Sequence, residues 1–337
     1  MEMRDELRAK WSQSRQTARG GHEWRTVLLS QIAPLRILAA VREPDERTSI
    51  LFETRLADAP SRRLHMAADG ISLQDQRRPE EGLFRLAITL EQEPLRSIFE
   101  VLAQDLINVA QVATDAPQAI AAIVRRLEAW QACLRQRRQG LSRESQIGLI
   151  GELTIYHMLA VCAGHDVAIE AWQGPLDGLH DFNRLGLALE IKSVAGIGSR
   201  IRISHLDQLE TQGLSQLILM RLQFRESQDG TTLTNLAGEI GDLISREAPH
   251  HRPDFDERLL RAGYARLDPE DDADVQVILE ETRAYDVRQG FPRLTARSVA
   301  SGIAEAHYSI DERAVASFRI DDKSVRDVML KMKGSSV

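Results

Sequence analysis

The sequence predicts a mixed α/β protein, α+β overall, with a central sheet flanked by helices. Three observations carry this. From Ser142 to Gln223 the apolar spacing reads helix, three or four strands, helix, strand. Residues 36–91 break into short extended runs divided by turn residues. Within the central segments, acids and a lysine interrupt stretches that are otherwise apolar, which costs several kcal/mol per buried charge unless it is paired or bound to metal.

Four segments follow from composition and spacing. They are a β-rich module over 1–92, a helical connector over 93–140, a core over 141–225 and an α/β extension over 226–337. Residues 2–17 form an amphipathic helix ending near Gly20-Gly21. Ile37–Val41, Ser49–Thr54, Gly70–Leu73 and Leu83–Leu90 read as strands, with Glu43-Pro44-Asp45 and Arg78-Pro79-Glu80 between them as turns. Leu95, Ile98, Phe99, Leu102, Leu106 and Val109 recur at helical spacing, and Asp115 with Pro117 opens a second helix to about Arg137. The basic run Arg135–Arg138 either complements that helix's dipole or touches phosphate.

In the core, Ser142 caps a helix from about Glu144 to Ala163 that Gly164 ends. Val167–Ala171 reads as a short strand and Asp181–Asn183 as an extended segment. Arg184 to Gly186 turns into the strand Leu187–Val194. Arg200–Ile203 alternates as a half-exposed strand. Ser204 with Asp207 makes a capping box for a short helix stopping at Gly213, and Gln216–Gln223 is a buried strand. Beyond it, Leu233–Arg246 and Asp254–Arg261 read as helices. Asp268–Asp274 reads as an acidic loop, Val275–Glu280 and Arg283–Arg288 as paired strands, and Ala304–Ile310 as a strand.

Composition narrows the function. The 337 residues carry a net charge of −7, which excludes non-specific nucleic-acid binding over the whole surface but leaves room for a local basic cleft. Scarce aromatics disfavour a base-stacking platform. Cys133 and Cys162 lie on apolar helical patterns and read as core thiols of a reducing compartment, with no zinc spacing. The charged start Met1–Arg8 lacks the apolar core of a signal peptide, and no apolar run is expected to reach the ~20 residues of a membrane span. The expectation is a cytoplasmic protein.

Glu190 and Lys192, two apart on a strand, share one face, while Leu187, Leu189 and Ile191 occupy the other. On an exposed strand such a pair is an ordinary solvated ion pair; here both flanks are apolar. Asp181 lies across a tight turn, so a hairpin can set its carboxylate beside that of Glu190. Two adjacent carboxylates repel, and a divalent cation relieves them. Mg2+, with Mn2+ as a substitute, suits one or two carboxylates plus water, and the Ile191 carbonyl offers a further oxygen. Glu152 has no cation among its helical neighbours Gly148, Leu149, Ile155 and Tyr156, so it is either simply exposed or aimed at the same site. Lys192 would orient the attacking water or stabilise phosphate charge, unless it only pairs with Glu190. Gln208 would contact substrate from the following helix, and His180 would reach a phosphate; the plainer readings are an exposed polar residue and a packed loop histidine. His250-His251 lacks an acidic or cysteine partner at ligand spacing and reads as loop.

Glu152, Asp181, Glu190-x-Lys192 and Gln208 together resemble the PD-(D/E)XK nuclease pattern, and the order of elements resembles the restriction-endonuclease-like fold. Gly148–Glu152, His180-Asp-Phe and Leu189–Ser193 are similar to the bacterial PD-(D/E)XK motif proteins of phage-defence islands. The segments around Phe291, Gly302 and Tyr308 extend the similarity over most of the chain. His180 stands where the motif has proline, and Gln212 where one subtype has tyrosine, so the exonuclease and resolvase subtypes are not implied. The resemblance implies a Mg2+-dependent DNA endonuclease. Asp181 and Glu190 would hold the metal, Glu152 would be an auxiliary ligand or a water-orienting carboxylate, and Arg200, Arg202 and Arg143 would contact phosphates. It also implies helicase-like ATPase and DNA methyltransferase partners, and cutting both strands with one site per chain calls for a homodimer of C2 symmetry or a partner. The competing reading is a DNA-binding scaffold subunit with a vestigial nuclease core. No GxxxxGK[ST] or hydrolase elbow supports a nucleotide-dependent enzyme or a serine or cysteine hydrolase.

Overall fold

The computed structural model describes residues 2–17, 23–32, 35–64, 70–136, 141–196, 198–265 and 275–334. The Gly20-Gly21 stop, the Arg137-Arg138 end of the basic run and the acidic stretch 268–274 lie outside these residues. The chain forms two compact units, Met1–Arg138 with Ala265–Asp271, and Gln139–Tyr264 with Asp272–Val337. The N-terminal strands therefore share a unit with the connector helices, and the C-terminal extension shares one with the core.

In the first unit, helix α1 (Glu2–Gln16) precedes strands β1 (Trp24–Ile32), β2 (Leu35–Arg42), β3 (Arg47–Arg55), β4 (Ile71–Arg78) and β5 (Leu83–Leu90). The strands form an antiparallel sheet in the order β1-β2-β3-β5-β4. α1 buries Leu7 and Trp11, and the Trp11 indole donates to the Ser49 carbonyl at 2.7 Å. Helices α2 (Arg96–Gln111) and α3 (Ala116–Gln136) complete the unit. Asp115 caps α3 as the sequence predicts, its Oδ1 accepting from the Gln118 amide at 2.8 Å. β1 is missing from the sequence reading. It is an edge strand whose register shifts between Leu28 and Ser30, so its apolar alternation is broken.

The second unit is built around α4 (Arg143–Ala163), capped by Ser142 and ended by Gly164 at φ +100°. Then follow α5 (His165–Ala171), β6 (Phe182–Arg184), β7 (Leu187–Ala195), β8 (Arg200–Ile203) and β9 (Gln216–Thr231). After them come α6 (Leu233–Glu247), α7 (Arg252–Arg261), β10 (Val277–Asp286), β11 (Tyr308–Asp311), β12 (Arg319–Ile320) and α8 (Asp322–Lys331). A mixed sheet runs β12-β10-β9-β7-β6, with β7 and β9 parallel and the other neighbours antiparallel. α4 packs on β7, α5, α6 and α8. Leu149, Ile150, Leu153 and Tyr156 of α4 join Leu189, Ile191 and Met220 in one apolar core, each such side chain contributing about 1.5–3 kcal/mol on burial. The opposite sheet face is covered by Ile201 and Ile203 of β8, Ile310 of β11, and Phe291 and Val315. This is a restriction-endonuclease-like α+β fold.

Several expectations are corrected. Val167–Ala171 lies within helix α5, not a strand. Its short β-branched run is ambiguous by period alone, and the Ala168 and Trp172 amides donate to the Gly164 and Ala168 carbonyls four residues back, which makes it helical. Ser204 and Asp207 form no capping box; only one 3-10 turn, Leu206–Leu209, follows β8. The paired strands expected at 275–280 and 283–288 are the single β10, whose irregularity between Leu279 and Glu281 looks like a turn in sequence. β9 continues to Thr231, and α8, capped by Asp321, was not foreseen. The expectation about membrane-length segments fails for α4, which is long and apolar enough by composition. Its apolar residues are instead spent on the core just described.

Candidate active site at the open edge of the mixed sheet

The site forms where β6 stops. β6 and β7 make the expected hairpin, turning at Leu185 and Gly186, both at positive φ. Pairing reaches Phe182 opposite Leu189 and goes no further, so the edge of β7 beyond it is open. Asp181 covers that opening, its Oδ2 accepting from the Ile191 amide at 2.6 Å. Amide and carbonyl of one strand residue point to the same edge, so the Ile191 carbonyl also faces the Asp181 side.

Glu190 and Lys192 share a strand face, and Lys192 Nζ donates to Glu190 Oε1 at 2.7 Å. Glu190 is 2 % exposed and Lys192 15 %. Glu152 approaches from α4. Its Oε2 accepts from the Trp172 indole at 2.8 Å. Gly174, in the turn after α5, fits between two acids: a Cβ there would stand 3.1 Å from Glu152 Oε2 and 3.2 Å from Asp181 Oδ1. α4 passes close to β7 because residue 151 is glycine; a Cβ there would fall 1.9 Å from Ser193 Oγ.

The electrostatics follow from the count. Among the described residues, three carboxylates face one ammonium. Burial, then the Asp181 charge, pushes Glu190 up to about 8 and Glu152 likewise to about 8. Burial also raises Asp181. With all four groups ionised, two negative charges remain, the complement of one divalent cation. The donors fit such an ion: the Asp181 and Glu190 carboxylates, the Ile191 carbonyl, and Glu152 alongside. The three acids are not drawn into one tight cluster. Among the described residues, the three-residue set of acid and imidazole ligand atoms lying within 4.8 Å of one another is elsewhere, at Asp166, His250 and His251.

Other expected residues stand apart. His180 is 1 % exposed and packed beside the Glu210 backbone, so it is turned away from any phosphate in solvent. Burial lowers its pKa, which keeps the imidazole neutral. Gln208 uses its Oε1 to accept from the Ser204 amide at 2.8 Å, holding the loop after β8. Arg200 and Arg202 are exposed on β8, opposite Asp311 and Ser309. Arg143 is ion-paired with Glu226. Trp172 and Gly174 also belong to the site, and the spacing of the sequence gives no sign of either. Arg221 was not foreseen either; it is in register with Lys192 on β9 and 1 % exposed. An arginine inside the apolar run Leu217–Phe224 was the available signal. His250-His251 is corrected too, because α5 brings Asp166 to it.

A family model described as "Putative PD-(D/E)XK family member, (DUF4420)" matches residues 6–312. The chain belongs to this PD-(D/E)XK family. The match spans both units, so the first unit is part of the family's architecture and not an appendage. PD-(D/E)XK proteins are generally nucleases that use divalent metals. No curated protein and no solved structure gives a significant match to the chain.

Proposed function

We propose that this PD-(D/E)XK protein is a Mg2+-dependent DNA endonuclease of a restriction-like phage-defence system, acting in the cytoplasm. The observation that carries this reading is the charge at the sheet edge: among the described residues, Asp181, Glu190 and Glu152 outnumber Lys192, the cation that acts on all three. Asp181, Glu190 and the Ile191 carbonyl would hold the metal, with Glu152 as an auxiliary carboxylate. A bound Mg2+ supplies positive charge where the phosphodiester gains negative charge.

The chain's own groups do the rest. Lys192, fixed by Glu190, orients the attacking water and offsets charge on the scissile phosphate. The Asp181–Ile191 hydrogen bond fixes one carboxylate oxygen and leaves Oδ1 toward the Glu152 side. Trp172 holds Glu152 in the same way. Arg200 and Arg202 are the exposed cations nearest in sequence to β7, and would meet the DNA backbone. Arg143 joins them only by releasing Glu226. Cutting both strands with one site per chain calls for a C2 homodimer or a partner, and helicase-like ATPase and DNA methyltransferase subunits are the partners proposed.

The test is cleavage of supercoiled plasmid in Mg2+ by the wild type, Lys192→Ala and Asp181→Ala. The expected result is nicked and linear product from the wild type and a loss of about 100-fold or more in each variant. Activity surviving both substitutions overturns the proposal. Inactive wild type that binds neither Mg2+ nor Mn2+ favours a scaffold subunit.

A further inference from the structure

A second cluster lies away from the sheet edge and plays no part in the reading above. Asp166 sits in the first turn of α5, and His250 and His251 end the 3-10 turn Pro249–His251 that joins α6 to α7. His251 Nε2 is 2.8 Å from Asp166 Oδ1, and His250 Nε2 is 3.6 Å from the same oxygen. The two imidazole rings lean together, with centroids 4.0 Å apart. One ligand atom from each of the three residues thus lies within 4.8 Å of the others.

We propose that Asp166, His250 and His251 form a site for a first-row transition ion of the zinc class, distinct from the Mg2+ site. Two imidazoles and one carboxylate are the donors that borderline ions prefer, whereas Mg2+ favours an all-oxygen shell. Bonds of about 2.0–2.2 Å place ligand atoms of a tetrahedral ion about 3.3–3.5 Å apart. The spacings of 2.8 and 3.6 Å bracket that value, so a small rotation of the exposed Asp166 side chain opens the cradle. Three protein ligands leave one position to water. His250 and Asp166 are exposed, so the ion has an open entry path.

The site has a consequence for the fold. It ties the start of α5 to the start of α7. α5 leads directly into Trp172, whose indole holds Glu152, and Trp172 packs on Phe255 of α7 at 5.9 Å between ring centroids. An ion bridging Asp166 and the histidines fastens the two helices that frame this contact.

The experiment uses the full-length, untagged chain stripped with EDTA. Zn2+ binding is measured by calorimetry, and Co2+ by its visible absorption, in the wild type, His250→Ala, His251→Ala and Asp181→Asn. His250 is exposed, so its removal leaves the core intact, as circular dichroism checks. The expected result is one equivalent of Zn2+ or Co2+ in the wild type and in Asp181→Asn, not displaced by excess Mg2+. Each histidine variant should weaken binding at least about 10-fold, as much as loss of an outer-shell partner costs. Undiminished binding in both histidine variants, loss of binding in Asp181→Asn, or no Zn2+ binding by the wild type overturns the proposal. None of these readouts depends on nuclease activity.

Discussion

Both units set charged side chains into sheets, but they balance them differently. In the first unit the acids meet arginines. Arg42 bonds Asp45 at 2.5 Å and Glu91 at 2.7 Å, and Ser72 adds a bond to Glu91. Arg85 and Arg36 both reach Glu53. Hydrogen bonds from Arg42 hold Asp45 and Glu91 below the usual carboxylate range. Against the mixed sheet of the second unit, Glu312 of the 3-10 segment Glu312–Phe318 is likewise matched by two residues of β10, Arg283 at 2.8 Å and the Tyr285 hydroxyl at 2.5 Å. At the edge of that same sheet the acids outnumber their cation and shift upward instead. The difference separates charge that builds a sheet from charge that waits for an ion: the first kind is neutralised within the chain, and the second is not.

The largest way to break this contrast is to titrate it. Glu190 has an ordinary value of 4.5 and sits at about 8 in the folded protein. Between those values the unfolded chain gives up the proton that the folded chain keeps, so stability of the metal-free protein falls as pH rises through this window. The expected loss is on the order of 2 kcal/mol, below the full conversion because neighbouring groups relax. Adding Mg2+ or Mn2+ at pH 8 should restore it, since the ion binds the ionised acids. Glu190→Gln should be more stable than the metal-free wild type at pH 8, equal near pH 5, and less responsive to Mg2+. Thermal melts at the two pH values check this. A flat wild-type profile contradicts the uncompensated-charge account.

The same contrast was partly legible in the sequence. Glu190, Lys192 and Asp181 stood out because acids inside apolar runs are costly wherever they fold, and the turn at Arg184–Gly186 fixed their hairpin. Helix α4 and its caps were legible because Ser142 and Gly164 bracket a long apolar stretch. What failed was what depends on tertiary partners. α5 looked like a strand because five residues do not distinguish the two periods. His180 and Gln208 looked available because spacing does not show that one ring is sealed and the other amide is engaged with Ser204. Trp172 and Asp166 reach their partners only through the packing of α5, which sequence spacing does not contain.

A second break concerns the balanced side. Arg42→Ala leaves Glu91 with Ser72 and removes the cation that both acids share. The expected loss is about 1 kcal/mol near pH 7 for this partly exposed network. Its pH dependence should run opposite to that of the site. Acids held low stabilise the fold above their unfolded pKa and lose that contribution as pH falls, so the Arg42→Ala deficit should shrink in acid. Urea melts at pH 7 and pH 3.5 measure it; a deficit that grows in acid contradicts the pairing.

A third break concerns how closely α4 meets β7, the approach that brings Glu152 to the site. Gly151 stands against Ser193, whose Oγ is buried with no hydrogen-bond partner. Gly151→Ala gains helix propensity of just under 1 kcal/mol, but its methyl overlaps Ser193 Oγ, and overpacking costs about 1–3 kcal/mol. A net loss of about 1 kcal/mol is expected. Ser193→Ala alone should be neutral or slightly stabilising, because it removes an unsatisfied buried hydroxyl. In the double variant the nearest atom is the residue 193 Cβ, at 3.2 Å, which needs only a small shift. Most of the Gly151→Ala loss should therefore disappear there, a coupling that a double-mutant cycle reads directly. Additive losses would mean that α4 is held off β7 by something other than this contact.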